Sequence, residues 1–343
     1  MEMAVNNRNS AVDAIKGIMI LFIVLHHLLM IPCLHHGYLA VDMFFMIAGY
    51  YLANHYYRKG GTAAQYTGKR IKSFYLPYLL SLLLATILDY KRLISFNGFE
   101  GFVETFAPYA AFLTLTEELG FIYHWPVVLI GGWFLSVLII SSFLLYGLLE
   151  YDDRKAIKII LPLSLILGFT YLFSISSSTD NFSVTGALSI PLLRGFLEMG
   201  VGIMLYSILT ENQESLNKKK TLVTVLACLA SALFFAMIFI KKPLDSYIVI
   251  LFPLMLSGVL ITESPLKRLY DRCPKKILAW LGALSLEIYV IHQPAIHIVH
   301  SSFKFLGLSV CPTVKILSCV VVVILAAYLL RVFCGFIRRR LAR

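Results

Sequence analysis

The sequence predicts an all-α, polytopic membrane protein that crosses the bilayer about ten times, with both termini in the cytoplasm. Of its 343 residues, 59% are hydrophobic and only 14% are charged, and the mean hydropathy is +0.80. Soluble globular domains contain about 45–50% apolar and about 25% charged residues, so these charges are too few for a solvated surface. The composition therefore excludes a soluble enzyme, and its high hydrophobicity excludes an intrinsically disordered chain.

The apolar stretches define the predicted helices, because about 20 apolar residues suffice for one membrane span. Such stretches, separated by short polar links, lie at residues 12–33, 38–57, 74–90, 127–149, 157–174, 190–209, 221–240, 246–262, 277–298 and 312–334. The longest link, residues 91–126, is apolar at 102–116, which is expected either to lie in the membrane interface or to re-enter the bundle. Without an internal repeat or a linker, residues 1–343 are predicted to form a single transmembrane domain with a basic tail at about 335–343.

The basic residues indicate the orientation of these helices. The net charge is +11, and 21 of the 30 Lys and Arg residues fall in every second connection or at the termini. Only five Lys and Arg residues occupy the opposite connections. This is the positive-inside distribution of membrane proteins, which places both termini in the cytoplasm. The excess charge therefore reflects topology, and no nucleic-acid partner is predicted.

The first span carries four ionisable residues, which are costly inside a membrane and commonly functional. Asp13 and Lys16 are three residues apart and can pair on one helix face. Lys16 and His27 are separated by three helical turns, a rise of about 16 Å, and lie within about 20° of the same face. His26 points about 100° away. Lys16 could extend toward the cytoplasm and His27 could bind a carbonyl, but their common face favours a function that links the two sides of the membrane.

A second histidine, His292, lies in the ninth span. That helix also runs from inside to outside, so His292 is expected at a depth similar to that of His27. Glu287 and Tyr289 are further polar residues in the same span.

Three charged residues complete the set of intramembrane candidates. Asp42 begins the second span, and Arg194 and Glu198 are four residues apart in the sixth, where they can neutralise one another. No metal site is predicted, because histidines and carboxylates do not occur at ligand spacing and His35 and His36 are expected in an exposed turn.

Five motifs follow one another along the chain. They are Asp13 and Lys16-Gly17 followed by His27; Val41-Asp42 followed by Phe44-Phe45 and Ala48-Gly49; Lys69-Arg70-Ile71-Lys72 followed by Pro77; Trp133-Phe134-Leu135; and Ser285 followed by Ile288-Tyr289 and His292. In this order, from residue 12 to residue 294, they resemble the motifs of the acyltransferase family 3 integral-membrane enzymes.

Four positions depart from that family's usual pattern. Lys16 replaces the usual Arg, and in this the sequence resembles the branch of the family that is similar to fucose 4-O-acetylases. Ala48 replaces a Ser, which argues against an obligatory nucleophile at this position. Lys69 and Lys72 replace the two Arg of the cytoplasmic motif and lack the bidentate guanidinium fork.

The resemblance implies an acyltransferase that acts on groups other than aminoacyl groups, with acyl-CoA as donor and an acetyl or similarly short acyl group. Lys69, Arg70 and Lys72 would hold the CoA phosphates at the inner mouth of the bundle. The acyl-pantetheine arm would then run past Lys16. No metal cofactor is expected.

The same resemblance suggests the catalytic group. His27 would be the general base that takes the proton of the acceptor hydroxyl, or would carry the acyl group transiently. Lys16 and Asp13 would support the same helix, and His292 would orient the acceptor or assist proton movement.

The acceptor implied by the resemblance is a sugar hydroxyl of an envelope or exported glycan or glycolipid, reached at a bacterial plasma membrane. The side chains expected to contact it are Asp42, Trp133, Arg194, Glu287 and Tyr289. The protein would otherwise contact membrane lipid, and homo-oligomerisation stays open.

Two other classes compete with this interpretation. A transporter or flippase could use intramembrane His, Asp and Lys as a proton relay, but the hydropathy shows no inverted repeat. An assembly partner without chemistry is the third class, which Ala48 and the Lys substitutions keep open.

Overall fold

The computed structural model describes residues 9–28, 34–91, 95, 98–119, 128–180, 182–185, 188–242, 244–261, 264–272 and 275–341. Within these residues the regular secondary structure is helical apart from one small hairpin. The helices are α1 Ser10–His27, α2 Ala40–Lys59, α3 Ala63–Leu88, α4 Gly98–Thr114, α5 Gly132–Lys155, α6 Leu161–Ile175, α7 Ile190–Glu211, α8 Gln213–Lys218, α9 Lys220–Ile238, α10 Ile248–Leu260, α11 Pro265–Arg272, α12 Lys275–Ala283, α13 Ser285–Phe305 and α14 Pro312–Leu341. Short 3₁₀ turns at Gly37–Leu39 and Asp245–Tyr247 precede α2 and α10, and the hairpin pairs β1 Val184–Thr185 with β2 Leu188–Ser189.

The protein is a polytopic membrane protein. Six helical stretches among the described residues are long and apolar enough to cross a membrane. They are α1, α3, the continuous stretch Gly132–Ile175, α7, α9 and α14, and they correspond to seven of the ten predicted spans. The predicted all-α class is confirmed by this architecture, whereas the cytoplasmic position of the termini stays a prediction.

The three other predicted spans differ from simple membrane helices. Helix α2 is 20 residues long but ends in a polar segment that includes Arg58 and Lys59. Helix α10 has only 13 residues. The predicted span at 277–298 is divided at Leu284 into α12 and α13. Length and composition therefore do not establish these three segments as membrane spans, and the total of ten spans stays a prediction.

The connection between α5 and α6 is a local break in an otherwise continuous helix. Asp152 has non-helical dihedral angles of φ −160° and ψ 93°, and its side chain accepts a hydrogen bond of 2.9 Å from the Lys155 backbone NH. A π-helical turn, Ala156–Ile160, follows. The break coincides with the basic link predicted between two spans.

The long link between the third and fourth predicted spans folds back into the bundle. Its helix α4 ends where Tyr75 and Tyr78 of α3 donate hydrogen bonds of 2.8 Å to the carbonyl oxygens of Leu113 and Phe112. Tyr75 and Tyr78 lie about 18–23 Å along α3 from its first residue. The C-terminal end of α4 therefore lies deep beside α3, which favours re-entry over an interfacial position. His124 and the rest of residues 120–127 lie outside the described residues.

Helices α1 and α12 cross at backbone contact. A Cβ atom on Gly17 would lie 2.1 Å from the Leu278 carbonyl oxygen, and one on Gly282 would lie 1.7 Å from the Asp13 carbonyl oxygen. Only glycine permits this approach. The crossing fixes the position of Lys16, the neighbour of Gly17, within the bundle.

Candidate functional site

A cavity of about 250 Å³ lies between α1, α2, α3, α5 and α13. Its walls are predominantly apolar, and two cations stand in its lining. The lining consists of Lys16, Phe44, Ile47, Ala48, Tyr51, Arg70, Phe134, Leu138, Ser285, Leu286 and Tyr289. Each of the five sequence motifs contributes at least one of these side chains, so tertiary packing brings motifs from distant parts of the chain to one cavity.

The pair predicted on α1 forms at this cavity. Lys16 Nζ lies 3.1 Å from Asp13 Oδ1, and the two side chains are 20% and 13% exposed. The carboxylate holds the ammonium group beside the cavity and offsets part of the cost of its burial. Lys16 is therefore held in place within the bundle.

The basic motif on α3 is divided by its orientation. Arg70 is half-buried and lines the cavity, whereas Lys69 and Lys72 are exposed. Arg70 Nη1 donates a hydrogen bond of 2.7 Å to the Tyr66 hydroxyl, and the Tyr66 ring stacks on that of Tyr146 at 4.9 Å. Of the three cations predicted to bind the donor, Arg70 is the one that the structure places at the cavity.

On α2, the position of the family's serine is part of the cavity wall. Ala48 lines the cavity, while a Cβ atom on the adjacent Gly49 would lie 1.9 Å from the Met199 carbonyl oxygen of α7. The Ala48-Gly49 pair thus supplies a smooth wall on one side and a close helix crossing on the other.

The two histidines predicted at similar depth are in contact. The ring centroids of His27 and His292 are 4.8 Å apart, with an interplanar angle of 62°. His27 Nδ1 lies 2.8 Å from the Ile23 carbonyl oxygen, and His292 Nδ1 lies 2.6 Å from the Tyr289 carbonyl oxygen. A carbonyl can only accept, so each Nδ1 carries the hydrogen and each neutral ring has its lone pair on Nε2.

This arrangement makes the pair suitable for base chemistry. The backbone fixes both tautomers, and Nε2 of His292 is buried without a hydrogen-bond partner among the described residues. An Nε2 lone pair oriented by an Nδ1–H···O=C bond is the form in which histidine acts as a proton acceptor. His26 has different neighbours, since its ring contacts that of Tyr38 at 5.5 Å.

Tyr289 connects the cavity to the histidine pair. Its ring lines the cavity and lies 5.8 Å from the His292 ring and 5.0 Å from the Phe134 ring. Beyond it, Gln293 Oε1 accepts a hydrogen bond of 2.8 Å from the Ile130 backbone NH. The start of α5 is thereby attached to α13 directly beside His292.

Asp42, Arg194 and Glu198 form a separate, fully buried network. Arg194 Nε donates to Asp42 Oδ1 at 2.5 Å, its Nη2 also pairs with Asp42, and its Nη1 donates to the Thr179 carbonyl oxygen at 2.8 Å. The predicted pair with Glu198 is longer, at 3.4 Å. Asp42 is therefore the principal partner of Arg194, and none of these side chains lines the cavity.

The network continues into two connecting segments that the sequence did not single out. Asp245 Oδ2 accepts hydrogen bonds from the Tyr38 hydroxyl at 2.8 Å and from the Thr179 backbone NH at 2.6 Å. His36 Nδ1 lies 2.8 Å from the Tyr38 hydroxyl and 3.6 Å from Asp245 Oδ1. The predicted exposure of His36 is wrong: the residue is only 6% exposed, because it packs into this network.

Two further candidates have partners of their own. The Arg194 guanidinium lies over the Trp133 ring at 5.6 Å, and that ring also contacts Phe182 at 5.2 Å. Glu287 accepts hydrogen bonds of 3.0 and 2.8 Å from Arg331. Glu287 thus joins α13 to α14 and does not line the cavity.

The comparison with known protein families agrees with the cavity and its motifs. A family model described as an acyltransferase domain, acyltransferase family 3, matches residues 9–332. No curated protein and no solved structure matches the chain. The match covers all five motifs and nearly the whole helical bundle. The chain therefore belongs to acyltransferase family 3, and its activity is acyl transfer.

Proposed function

We propose that this protein transfers an acetyl or similarly short acyl group from cytoplasmic acyl-CoA to a sugar hydroxyl of an envelope or exported glycan, in a bacterial plasma membrane. The observation that carries the proposal is the position of the cavity, which extends from two cations to Tyr289 beside the histidine pair. Lys16 and Arg70 stand in the lining of a mostly apolar space, and Tyr289 in the same lining contacts the His27–His292 pair.

The lining suits an acyl-CoA donor. Phosphates form charge-assisted hydrogen bonds with Lys and Arg, so the CoA phosphates bind Arg70 and Lys16. The acyl-pantetheine arm then occupies the apolar part of the cavity beside Phe44 and Leu138. This places the thioester near Tyr289, next to the histidines.

The histidine pair supplies the base. The acceptor hydroxyl donates its hydrogen to Nε2 of His27, and this proton moves to Nε2 as the oxygen attacks the thioester carbonyl carbon. The C–S bond then breaks, and the departing thiolate takes the proton from the imidazolium. The products are an ester and free CoA thiol, with no net proton consumed. His292, whose Nε2 is also available, accepts a second hydrogen bond and orients the acceptor.

An acyl-His27 intermediate would use the same lone pair, so kinetics must distinguish the two routes. Direct transfer forms ester at a rate that depends on acceptor from the first turnover. A covalent route would release free CoA in a rapid burst without acceptor. We propose direct transfer because the cavity for the donor and the histidine pair meet at Tyr289, which allows both substrates to be bound at once.

The acceptor is proposed to approach from the outer end of the bundle. Trp133, supported by the Arg194 guanidinium, and Phe182, which is 42% exposed, form an aromatic pair of the kind that stacks on sugar rings. Membrane lipid surrounds the bundle, and the acceptor is a glycan or glycolipid within reach of this end.

The test is acyl transfer by the purified protein in lipid nanodiscs. Labelled acetyl-CoA and the total glycolipid extract of the native host should yield labelled glycolipid, and His27→Ala should lower its rate of formation at least about a hundredfold. Transport of a glycolipid or proton without any labelled ester would instead support the transporter class.

A further inference from the structure

The re-entrant helix α4 ends in a tightly fixed turn, residues 115–119. Leu115 adopts a left-handed conformation with φ 56°, which is uncommon for a residue with a branched side chain. Its carbonyl oxygen accepts a hydrogen bond of 2.9 Å from the Ser136 hydroxyl of α5. The Thr116 NH donates to the Ala111 carbonyl oxygen at 3.0 Å. The surrounding structure thus holds this turn in one conformation.

Two adjacent glutamates in this turn differ in their surroundings. Glu118 Oε2 accepts a hydrogen bond of 2.7 Å from the Ser189 hydroxyl, which ties the turn to the hairpin. Both carboxyl oxygens of Glu117 are buried, and neither receives a hydrogen bond from another residue that the structure describes. Nearly all buried polar groups in proteins are paired, and an unpaired one is costly. Glu117 therefore requires an explanation beyond folding.

The position of Glu117 relates it to the histidine pair. Its Oε1 lies 3.0 Å from the point that a Cβ on Gly132, the first residue of α5, would occupy. The preceding glycine, Gly131, would place a Cβ 3.0 Å from the Tyr289 carbonyl oxygen, which is the group that accepts the His292 Nδ1 hydrogen. Glu117 thus lies against the first turn of α5. Gly131, directly before this turn, contacts the segment that carries His292.

We infer that Glu117 binds the hydroxyl groups of the acceptor, a sugar or another polyol, and holds it against the histidine pair. The inference rests on the proposed function and adds an acceptor-binding residue to it. Carboxyl oxygens accept hydrogen bonds from hydroxyl groups, and neighbouring sugar hydroxyls can satisfy both oxygens of Glu117 together. The donor phosphates are not the preferred occupant, because they carry no hydrogen to donate to the two carboxyl oxygens, whereas sugar hydroxyls do.

The experiment compares Glu117→Ala and Glu117→Gln with Glu118→Gln as the matched control. Each variant is reconstituted in nanodiscs with acetyl-CoA as donor and the total glycolipid extract of the native host as acceptor probe. Glu117→Ala should raise the apparent KM for the extract at least about tenfold, the loss expected for hydrogen bonds from two hydroxyl groups. Its KM for acetyl-CoA should not change. Glu117→Gln should have a smaller effect, because its amide oxygen still accepts a hydrogen bond, and Glu118→Gln should resemble the wild type.

Two outcomes overturn the inference while leaving the proposed function intact. One is an unchanged KM for the extract in Glu117→Ala, and the other is a rise in the KM for acetyl-CoA alone. Binding without turnover supplies a second measurement, the rise in unfolding temperature that the extract causes. If the wild type produces no ester, the proposed function fails. The inference then survives only if the extract stabilises the wild type and Glu118→Gln but does not stabilise Glu117→Ala. If Glu117→Ala does not fold, Glu117→Gln takes its place in this comparison.

Discussion

His27 and His292 present their rings to one another at 4.8 Å, and each ring is oriented by an Nδ1 hydrogen bond to a carbonyl in the preceding turn of its own helix. Two helices from opposite ends of the chain thereby place two Nε2 lone pairs in one small region. Neutral imidazoles in this tautomer cannot hydrogen-bond to each other through Nε2. A hydroxyl group between or beside them would provide the missing hydrogen.

His27 is expected to be the residue on which the rate depends most. A positioned general base contributes a factor of about 10²–10⁴ to the rate, so His27→Ala should lower kcat for transfer at least about a hundredfold. His26→Ala is the control, because His26 contacts Tyr38 and is adjacent in sequence. Steady-state transfer assays on both variants make the comparison. A larger loss in His26→Ala than in His27→Ala would show that the assigned helix face is wrong.

The second histidine should act together with the first. His292→Ala is expected to reduce kcat by less than His27→Ala, because His292 orients the acceptor and does not take its proton. The double variant should lose little beyond His27→Ala alone, since residues that act as a unit are not additive. Fully additive losses in a double-mutant cycle would contradict a shared role.

Donor binding should depend on Arg70 more than on its neighbours. Arg70→Gln should raise the KM for acyl-CoA and weaken its dependence on salt, because a cation that meets phosphates is lost. Lys69→Gln, an exposed neighbour, is the control with the same change of charge. Tyr66→Phe should produce a weaker form of the Arg70 effect, because it removes the 2.7 Å hydrogen bond. Equal effects of Arg70→Gln and Lys69→Gln would point to general surface charge.

The cytoplasmic side can be tested by labelling. Single cysteines replacing Lys69 and Arg340, in a background in which all six native cysteines are replaced, should not react with a membrane-impermeant maleimide in intact cells. A cysteine at Phe182, between α6 and α7, should react. Ready labelling of the cysteine at position 69 or 340 would contradict the predicted topology.

The buried ion pair of Asp42 should matter for stability. Asp42→Ala leaves the Arg194 guanidinium buried without its principal partner, which typically costs about 3–5 kcal/mol. The measurement is thermal unfolding in detergent. Glu214→Ala removes an exposed carboxylate from α8 and should leave the unfolding temperature nearly unchanged. Equal unfolding temperatures for the two variants would show that the Asp42 pair contributes little.

Local sequence patterns were sufficient to predict features that depend on the residues of a single helix. Hydropathy identified the membrane class, and helical spacing identified the Asp13–Lys16 pair, which the structure contains. The sequence placed His27 and His292 at similar depth, since two helices that run in the same direction place equal numbers of turns at equal depth, and the structure brings their rings into contact.

Contacts between helices distant in sequence were decided only by the tertiary structure. The sequence did not show that Arg70 alone of its motif lines the cavity, that Glu287 pairs with Arg331, or that His36 is buried beside Asp245. It likewise gave no signal for Glu117, whose local sequence resembles that of any acidic loop. Hydropathy and spacing are properties of neighbouring residues, whereas the partner of a buried charge is set by which helix faces pack together. That packing depends on close approaches such as Gly17 on Leu278 and Gly282 on Asp13, which no local pattern specifies.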